Sequence, residues 1–256
     1  MSELIVCKPK LLPSDQWINA AKTAIQVNPM NRAAVERLSM VMAGFTPTPQ
    51  HIAALTTKYW HSGGVKLTVG FLDNPAADLR ARILQHMNAW AQSAKVSFTE
   101  SSTEPQVRIA RNAGDGYWSY VGIDVLSIAK DQPTMNLDSF SMTTPESEYH
   151  RVVRHETGHT MGFIHEHMRK ELVAKIDPKK AYPYFLETQG WDKQVVDQQV
   201  LTPIEDSSLT GTNPPDPDSI MCYQLPGTIT FDGKPIIGGT DIDPTDYEFA
   251  AKLYPK

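Results

Sequence analysis

Residues 155–166 run His155-Glu156-Thr157-Gly158-His159-Thr160-Met161-Gly162-Phe163-Ile164-His165-Glu166. The pattern is H-E-x-x-H-x-x-G-x-x-H, closed by one more acid. On a helix, positions i and i+4 share a face, so His155 and His159 point the same way. Two imidazoles on one face can hold one Zn²⁺ from one side. Glu156 stands beside the first ligand, where it can take a proton from a zinc-bound water. Gly162 can adopt the left-handed conformation that stops a helix. The chain then turns and brings back His165 as a third ligand. Three protein ligands leave a fourth position for water, which is the arrangement of a catalytic zinc. An ordinary amphipathic helix could carry H-E-x-x-H by chance, but nothing in it would call for Gly162 and His165 at these offsets.

The flanks support a helix here. Thr144-Pro145 gives a start with Pro at the first helical position. Val152, Val153, Thr160, Met161, Phe163 and Ile164 supply apolar anchors. Further on, Asp218-Ser219-Ile220-Met221-Cys222-Tyr223 resembles the methionine-containing turn that lies below the metal in metzincin proteases, with Met221 in that place.

The chain resembles the astacin family of metzincin zinc endopeptidases, in a bacterial, cysteine-poor form. Family members follow the zinc motif with Glu and carry a Ser-Ile-Met-His-Tyr turn; here the turn is Ser-Ile-Met-Cys-Tyr, so Cys222 departs from the pattern. Gly116-Tyr117-Trp118-Ser119-Tyr120-Val121-Gly122 resembles the family's Gly-Cys-Trp-Ser-Tyr-Val-Gly segment, with Tyr117 in place of a disulfide cysteine. His165-Glu166-His167-Met168-Arg169 and the stretch from Asp243-Pro244 to Leu253-Tyr254 are similar to the family's motif continuation and closing helix. The similarity covers the chain from about residue 60 to the end. It implies an α+β, two-subdomain catalytic domain over residues 56–256. A twisted mixed sheet with long helices would lie above the cleft, and an irregular helical half below it. Residues 1–55 are then a helical N-terminal extension of the kind that serves as a pro-segment.

The resemblance also implies residue roles. Tyr223 would be a switchable tyrosine, able to ligate the metal at rest and to swing out and donate to the oxyanion; the alternative is a buried core tyrosine. Glu166 would be the buried acid that engages the new N-terminus after activation, or else a solvated residue in a charged stretch. Arg169 is expected in a structural ion pair. Pro-segments of this family and its relatives supply an Asp or Cys ligand to the zinc, so Cys7 could fill the open position. It could equally be a small apolar residue beside Leu4, Ile5 and Val6, or pair with Cys222 in an oxidising compartment.

Composition narrows the rest. A net charge of −5 argues against a nucleic-acid partner. No apolar run approaches the roughly 20 residues that span a bilayer, and the N-terminus has no basic start or long apolar stretch of a signal peptide. Export without a recognisable signal is the favoured expectation, with a cytoplasmic protein as the alternative. Two cysteines make no disulfide framework, so folding rests on packing and on one zinc ion per chain. The expected partner is a protein or peptide substrate, and the expected state is a monomer.

Along the chain, Pro13-Ser14-Asp15 caps a helix that Asn28-Pro29 breaks. Residues 33–43 form a second, and Thr46-Pro47-Thr48-Pro49 reads as a linker. Strands are expected at 66–72, 96–98, 107–110 and 126–135, and helices at 76–94, 178–189, 192–200 and 243–254. Residues 209–218, with three prolines, read as loop. In folds of this family the strand just before the zinc helix edges the cleft and pairs with substrate, which points to residues 127–136. His51, His61, His86, His150 and His167 have no ligand spacing and are expected on the surface or in the core. Two other functions remain open: an inactive, zinc-structured peptide-binding protein, and a zinc hydrolase with Glu187 as third ligand.

Overall fold

The computed structural model describes Cys7 and residues 10–32, 56–165, 170–202, 216–222 and 224–256. The helix expected at 33–43, the linker at Thr46–Pro49, Glu166, Arg169, Tyr223, His51 and His167 lie outside the described residues. The fold is α+β, with one five-stranded mixed sheet and helices on it and below it.

Four of the five strands run parallel. Strand β1 (Val65–Phe71) buries Val65, Leu67 and Val69 in strict alternation. The chain crosses through α2 (Ala77–Met87) to β2 (Val96–Glu100), which pairs with β1 in parallel. Helix α2 turns Leu79, Ile83 and Met87 onto the sheet. The helix expected to reach residue 94 is cut short, continuing only as a tight 3₁₀ turn at Asn88–Gln92. Asn88 explains the break. Its side-chain amide donates to Leu84 O and Phe98 O, and its carbonyl accepts from Phe98 N, all at 2.9 Å. The same side chain that ends the helix therefore welds it to β2.

Strand β3 (Val107–Ala110) is parallel to β1 on the other side, β5 (Met135–Leu137) is parallel to β3, and β4 (Tyr117–Ser119) closes the sheet antiparallel to β5. The order is β2-β1-β3-β5-β4. Here the sequence reading needs correction. Residues 126–135 do not form a strand, and the 127–136 stretch is not the edge. Gly122–Ser127 is a 3₁₀ turn, β5 is internal, and the edge is β4. Arg108 supplies the reason. Its buried guanidinium donates to the carbonyls of Gln132, Ile128, Gln106 and Pro105. Carbonyls that a strand would offer to a neighbour are satisfied instead by one side chain, so the loop stays a loop.

Before the sheet, α1 (Trp17–Val27) follows a 3₁₀ turn at Ser14–Gln16 and ends at Asn28. It is tied to the domain by two asparagines. Asn28 donates to Trp60 O at 2.7 Å, and Asn31 donates to Ala24 O and Tyr59 O while accepting from Tyr59 N and Thr57 Oγ1.

Behind the sheet, a helical stretch opens as α3 (Glu146–Glu148), widens into a π-turn at Tyr149–Val153, and continues as α4 (Arg154–Met161). The upper core gathers around fully buried Trp90, Ile83, Met135, Tyr149 and Tyr254. Below it lie α5 (Lys170–Val173), α6 (Pro178–Gln189) and α7 (Lys193–Val196). They have a second core of their own, including Phe185, Trp191, Val196, Leu225 and Ile236. Residues 197–201 continue α7 as a π-turn. The closing helix α8 (Pro244–Leu253) starts on a capping box made by Asp243 and Asp246.

Candidate active site

Helix α4 carries the motif and is buried along its whole length from His155 to Met161. It stops because Gly162 takes φ +103°, closed by Gly162 N donating to His159 O and Phe163 N to Gly158 O. The carbonyl oxygen of Lys58 would lie 3.0 Å from a Cβ at Gly162. The turn it makes brings His165 back under the helix.

Each of the two helical imidazoles is oriented through its Nδ1. His155 Nδ1 is 2.6 Å from Ile220 O, and His159 Nδ1 is 2.7 Å from Phe163 O. A backbone carbonyl only accepts, so both rings are protonated at Nδ1 and present the Nε2 lone pair. His155 Nε2 and His159 Nε2 lie 3.2 and 3.0 Å from His165 Nε2. Ligands 2.0–2.1 Å from one tetrahedral zinc would stand about 3.3 Å apart, so the three nitrogens fit the ion. Burial also holds His159 down to about 4, which keeps the ring neutral and able to ligate.

Glu156 is fully buried, and its carboxylate oxygens have no hydrogen-bonding neighbour among the described residues other than the Cys7 thiol. Burial pushes its pKa up to about 8, while Cys7 and Arg151 pull it down. A buried carboxylate in this position is built to receive a proton from something bound beside it.

Cys7 is the fourth neighbour in space, as the resemblance to pro-segments allowed. Its Sγ and the ligand nitrogens of His155, His159 and His165 all lie within 4.8 Å of one another. Burial raises the thiol well above its ordinary value, and the Glu156 carboxylate raises it further. Cys7 and Cys222 are both buried and pack in the lower core. Just beyond Cys7, the backbone of Lys10 meets the edge strand: Lys10 N donates to Ser119 O at 3.3 Å and forms a parallel bridge with Tyr120. Its ammonium sits 4.6 Å over the Trp118 ring. One short segment thus touches both the imidazole cluster and the sheet edge. Sequence reading missed Lys10, because nothing local marks it. It also missed Arg151, one helical turn before His155. Its guanidinium is held by both oxygens of Glu148, at 3.0 and 2.7 Å.

Met221 lies beneath α4 in a turn fastened to α8. Asp246 accepts from Ser219 Oγ at 2.6 Å and from Ile220 N at 2.9 Å, and Ser219 Oγ accepts from Met221 N. Ile220 O in the same turn orients His155, so the turn aims a ligand as well as filling space. A Cβ on Gly158 would stand 2.5 Å from Met221 Sδ. Gly158→Ala should therefore destabilise the domain by about 1–3 kcal/mol, read as a lower thermal midpoint. An unchanged melt would show that Met221 yields freely and does not support the helix.

Glu187, the rival third ligand, belongs to α6 and is exposed; it takes no part in the imidazole cluster.

Comparison with known proteins agrees with this geometry. The family model for the astacin peptidases matches residues 53–227. Over 91 residues the chain is 36% identical to zinc metalloproteinase nas-27 of Caenorhabditis elegans, covering 35% of this chain and 19% of that protein. It is 30% identical over 128 residues to Tolloid-like protein 1 of Mus musculus, covering 48% and 11%. The match thus spans less than a fifth of these relatives. A solved structure of myroilysin superposes with a TM-score of 0.72 at 30% identity, over 78% of this chain and 96% of that one. The hatching enzyme HCE-1 of Oryzias latipes, at 18% identity and a TM-score of 0.52, shares the fold over 79% and 95%. On its imidazole cluster, its fold and its match to the family model, the chain belongs to the astacin family of peptidases and carries that family's zinc metallopeptidase domain.

Proposed function

We propose that the protein is a zinc-dependent endopeptidase, held latent by its own N-terminal segment. His155, His159 and His165 hold the zinc, which when bound supplies a Lewis acid and an acidified water. Beside it, Glu156 would hold a proton released during attack on the peptide carbonyl and hand it to the leaving amine. Tyr223, two positions after Met221 in the chain, donates a hydrogen bond to the developing oxyanion. Once the Lys10 segment leaves it, extended substrate adds to the edge of β4, where the freed backbone groups offer a template. The carrying observation is the Glu156 carboxylate, buried beside three converging Nε2 atoms with only the Cys7 thiol as a hydrogen-bonding neighbour among the described residues. A domain that used zinc only to bind peptides would have no use for it.

Latency follows from Cys7 and Lys10. The thiol stands where a fourth ligand would displace the water that Glu156 needs, and zinc binds thiolate strongly. Lys10 pairs with the edge that substrate would use. Residues 1–55 then act as a pro-segment and residues 56–256 as the protease. Cleavage of casein by the full chain tests both halves of this reading. Cys7→Ala should raise the rate by at least about tenfold, as expected if a ligand bond worth more than roughly 1.4 kcal/mol is lost. A zinc chelator should abolish that activity, and added zinc should restore it. An unchanged rate in the variant removes Cys7 from the zinc. Absence of cleavage by a zinc-loaded Cys7→Ala protein favours the inactive peptide-binding alternative.

A further inference from the structure

A second group of metal-ligating side chains lies outside this site. His86 on α2, Glu146 at the opening of α3 and His150 in the π-turn place one ligand atom each within 4.8 Å of the others. Both imidazoles address the same oxygen: Glu146 Oε1 is 3.2 Å from His86 Nε2 and 3.5 Å from His150 Nε2. These spacings bracket the roughly 3.3 Å expected between ligands on one tetrahedral ion.

The surrounding groups are arranged as metal sites arrange them. Asp241 Oδ2 stands 2.8 Å from His150 Nδ1. With that nitrogen protonated toward Asp241, His150 Nε2 is a lone pair facing a carboxylate oxygen. Two acceptors facing each other are reconciled by a cation between them, and carboxylate–imidazole–metal is a recurrent triad. Arg82 holds Glu146 Oε2 at 2.6 Å, which leaves Oε1 for the ion. His86 is 98% shielded, and its burial lowers its pKa, keeping it neutral.

Arg154 is the competitor. Its Nη2 is 3.3 Å from His150 Nε2 and its Nε 3.4 Å from His86 Nδ1, both long contacts, whereas its Nη1 is 2.6 Å from Asp241 Oδ1. An arriving ion displaces the contact to His150 Nε2; the contact to His86 Nδ1 is on that ring's other nitrogen and, with the short bond to Asp241, stays in place. The nearby charges of Arg82 and Arg154 against Glu146 and Asp241 cancel, so the ion is held by ligation alone and more weakly than at the triple-histidine site.

We propose that His86, Glu146 and His150 form a second metal site for a borderline divalent ion, Zn²⁺ or Ni²⁺, completed by water. Two imidazoles and one carboxylate suit these ions and not Ca²⁺ or Mg²⁺. Bound there, the ion pins the start of the motif helix to α2. The inference does not depend on catalysis at the first site.

Calorimetric titration of Ni²⁺ into the zinc-loaded full chain is the test, with thermal melts in parallel. The expected result is one further binding event per chain at sub-millimolar concentration, together with a rise in the melting temperature. Both should disappear in His150→Gln and in Glu146→Gln, while each variant keeps its first zinc. Glu146 is exposed, so that variant should fold even if the histidine variant does not. No further event in the wild type, or an event that survives unchanged in Glu146→Gln, overturns the proposal.

Discussion

Glu156→Ala should retain stoichiometric zinc and lose casein hydrolysis by about 10²–10⁴-fold or more, the usual weight of a general base. The two halves of that result have separate structural causes. Zinc is retained because the three ligand nitrogens are positioned without Glu156: Ile220 O and Phe163 O orient His155 and His159, and the Gly162 turn delivers His165. Activity falls because the neighbouring acids are engaged elsewhere. Glu148 is committed to Arg151, and Glu146 to Arg82. The loss should exceed that of a base alone, since the same carboxylate also returns the proton to the amine. The background is best set in Cys7→Ala, where the rate is high enough to measure a fall. Near wild-type turnover with full zinc would assign the proton transfer elsewhere.

What the sequence made legible is what depends on neighbours in the chain. The i, i+4 spacing places His155 and His159 on one face whatever surrounds the helix, and Gly162 ends it by its own backbone freedom. The alternation of β1, the capped start of α8 and the Asn28 stop of α1 are likewise local, and the structure carries all three. What was not legible depends on partners far along the chain. Residues 127–136 look extended by composition, but Arg108, from a different strand, decides their fate by donating to the carbonyls of Ile128 and Gln132 within them. The internal place of β5 follows from β4 folding back beside it, a pairing that neither three-residue strand announces. Glu146 and His150 stand at i, i+4, but His86 joins them only through packing of α2 against the motif helix. Cys7 stands 148 positions before His155 and reaches it only by crossing the sheet edge at Lys10. Motif reading could name it as a candidate only through resemblance to pro-segments.

Zinc should survive the loss of His165 only while Cys7 is present. In the wild-type chain four side chains surround one point, His155, His159, His165 and Cys7. Structural zinc sites with four protein ligands bind with about 10–16 kcal/mol, so each ligand carries roughly 3–4 kcal/mol, or about 10²–10³ in Kd. Cys7→Ala leaves three imidazoles, enough for a catalytic site. His165→Ala leaves two imidazoles and a thiolate, also three ligands and a common zinc set. Removing both leaves two imidazoles, too few to hold the ion through dialysis against a weak chelator. Metal content should therefore be near stoichiometric in each single variant and lost in the double, a strongly non-additive pattern of the kind that contacting residues show. If His165→Ala alone loses zinc as fully as the double, Cys7 is no ligand and its place among the imidazoles is only packing. If the double keeps its zinc, a ligand beyond these four must hold it, and the mechanism built on an open fourth position falls with it. The cycle thus weighs the thiol and the third imidazole against each other on one scale, metal occupancy, that no change in catalytic rate can disturb.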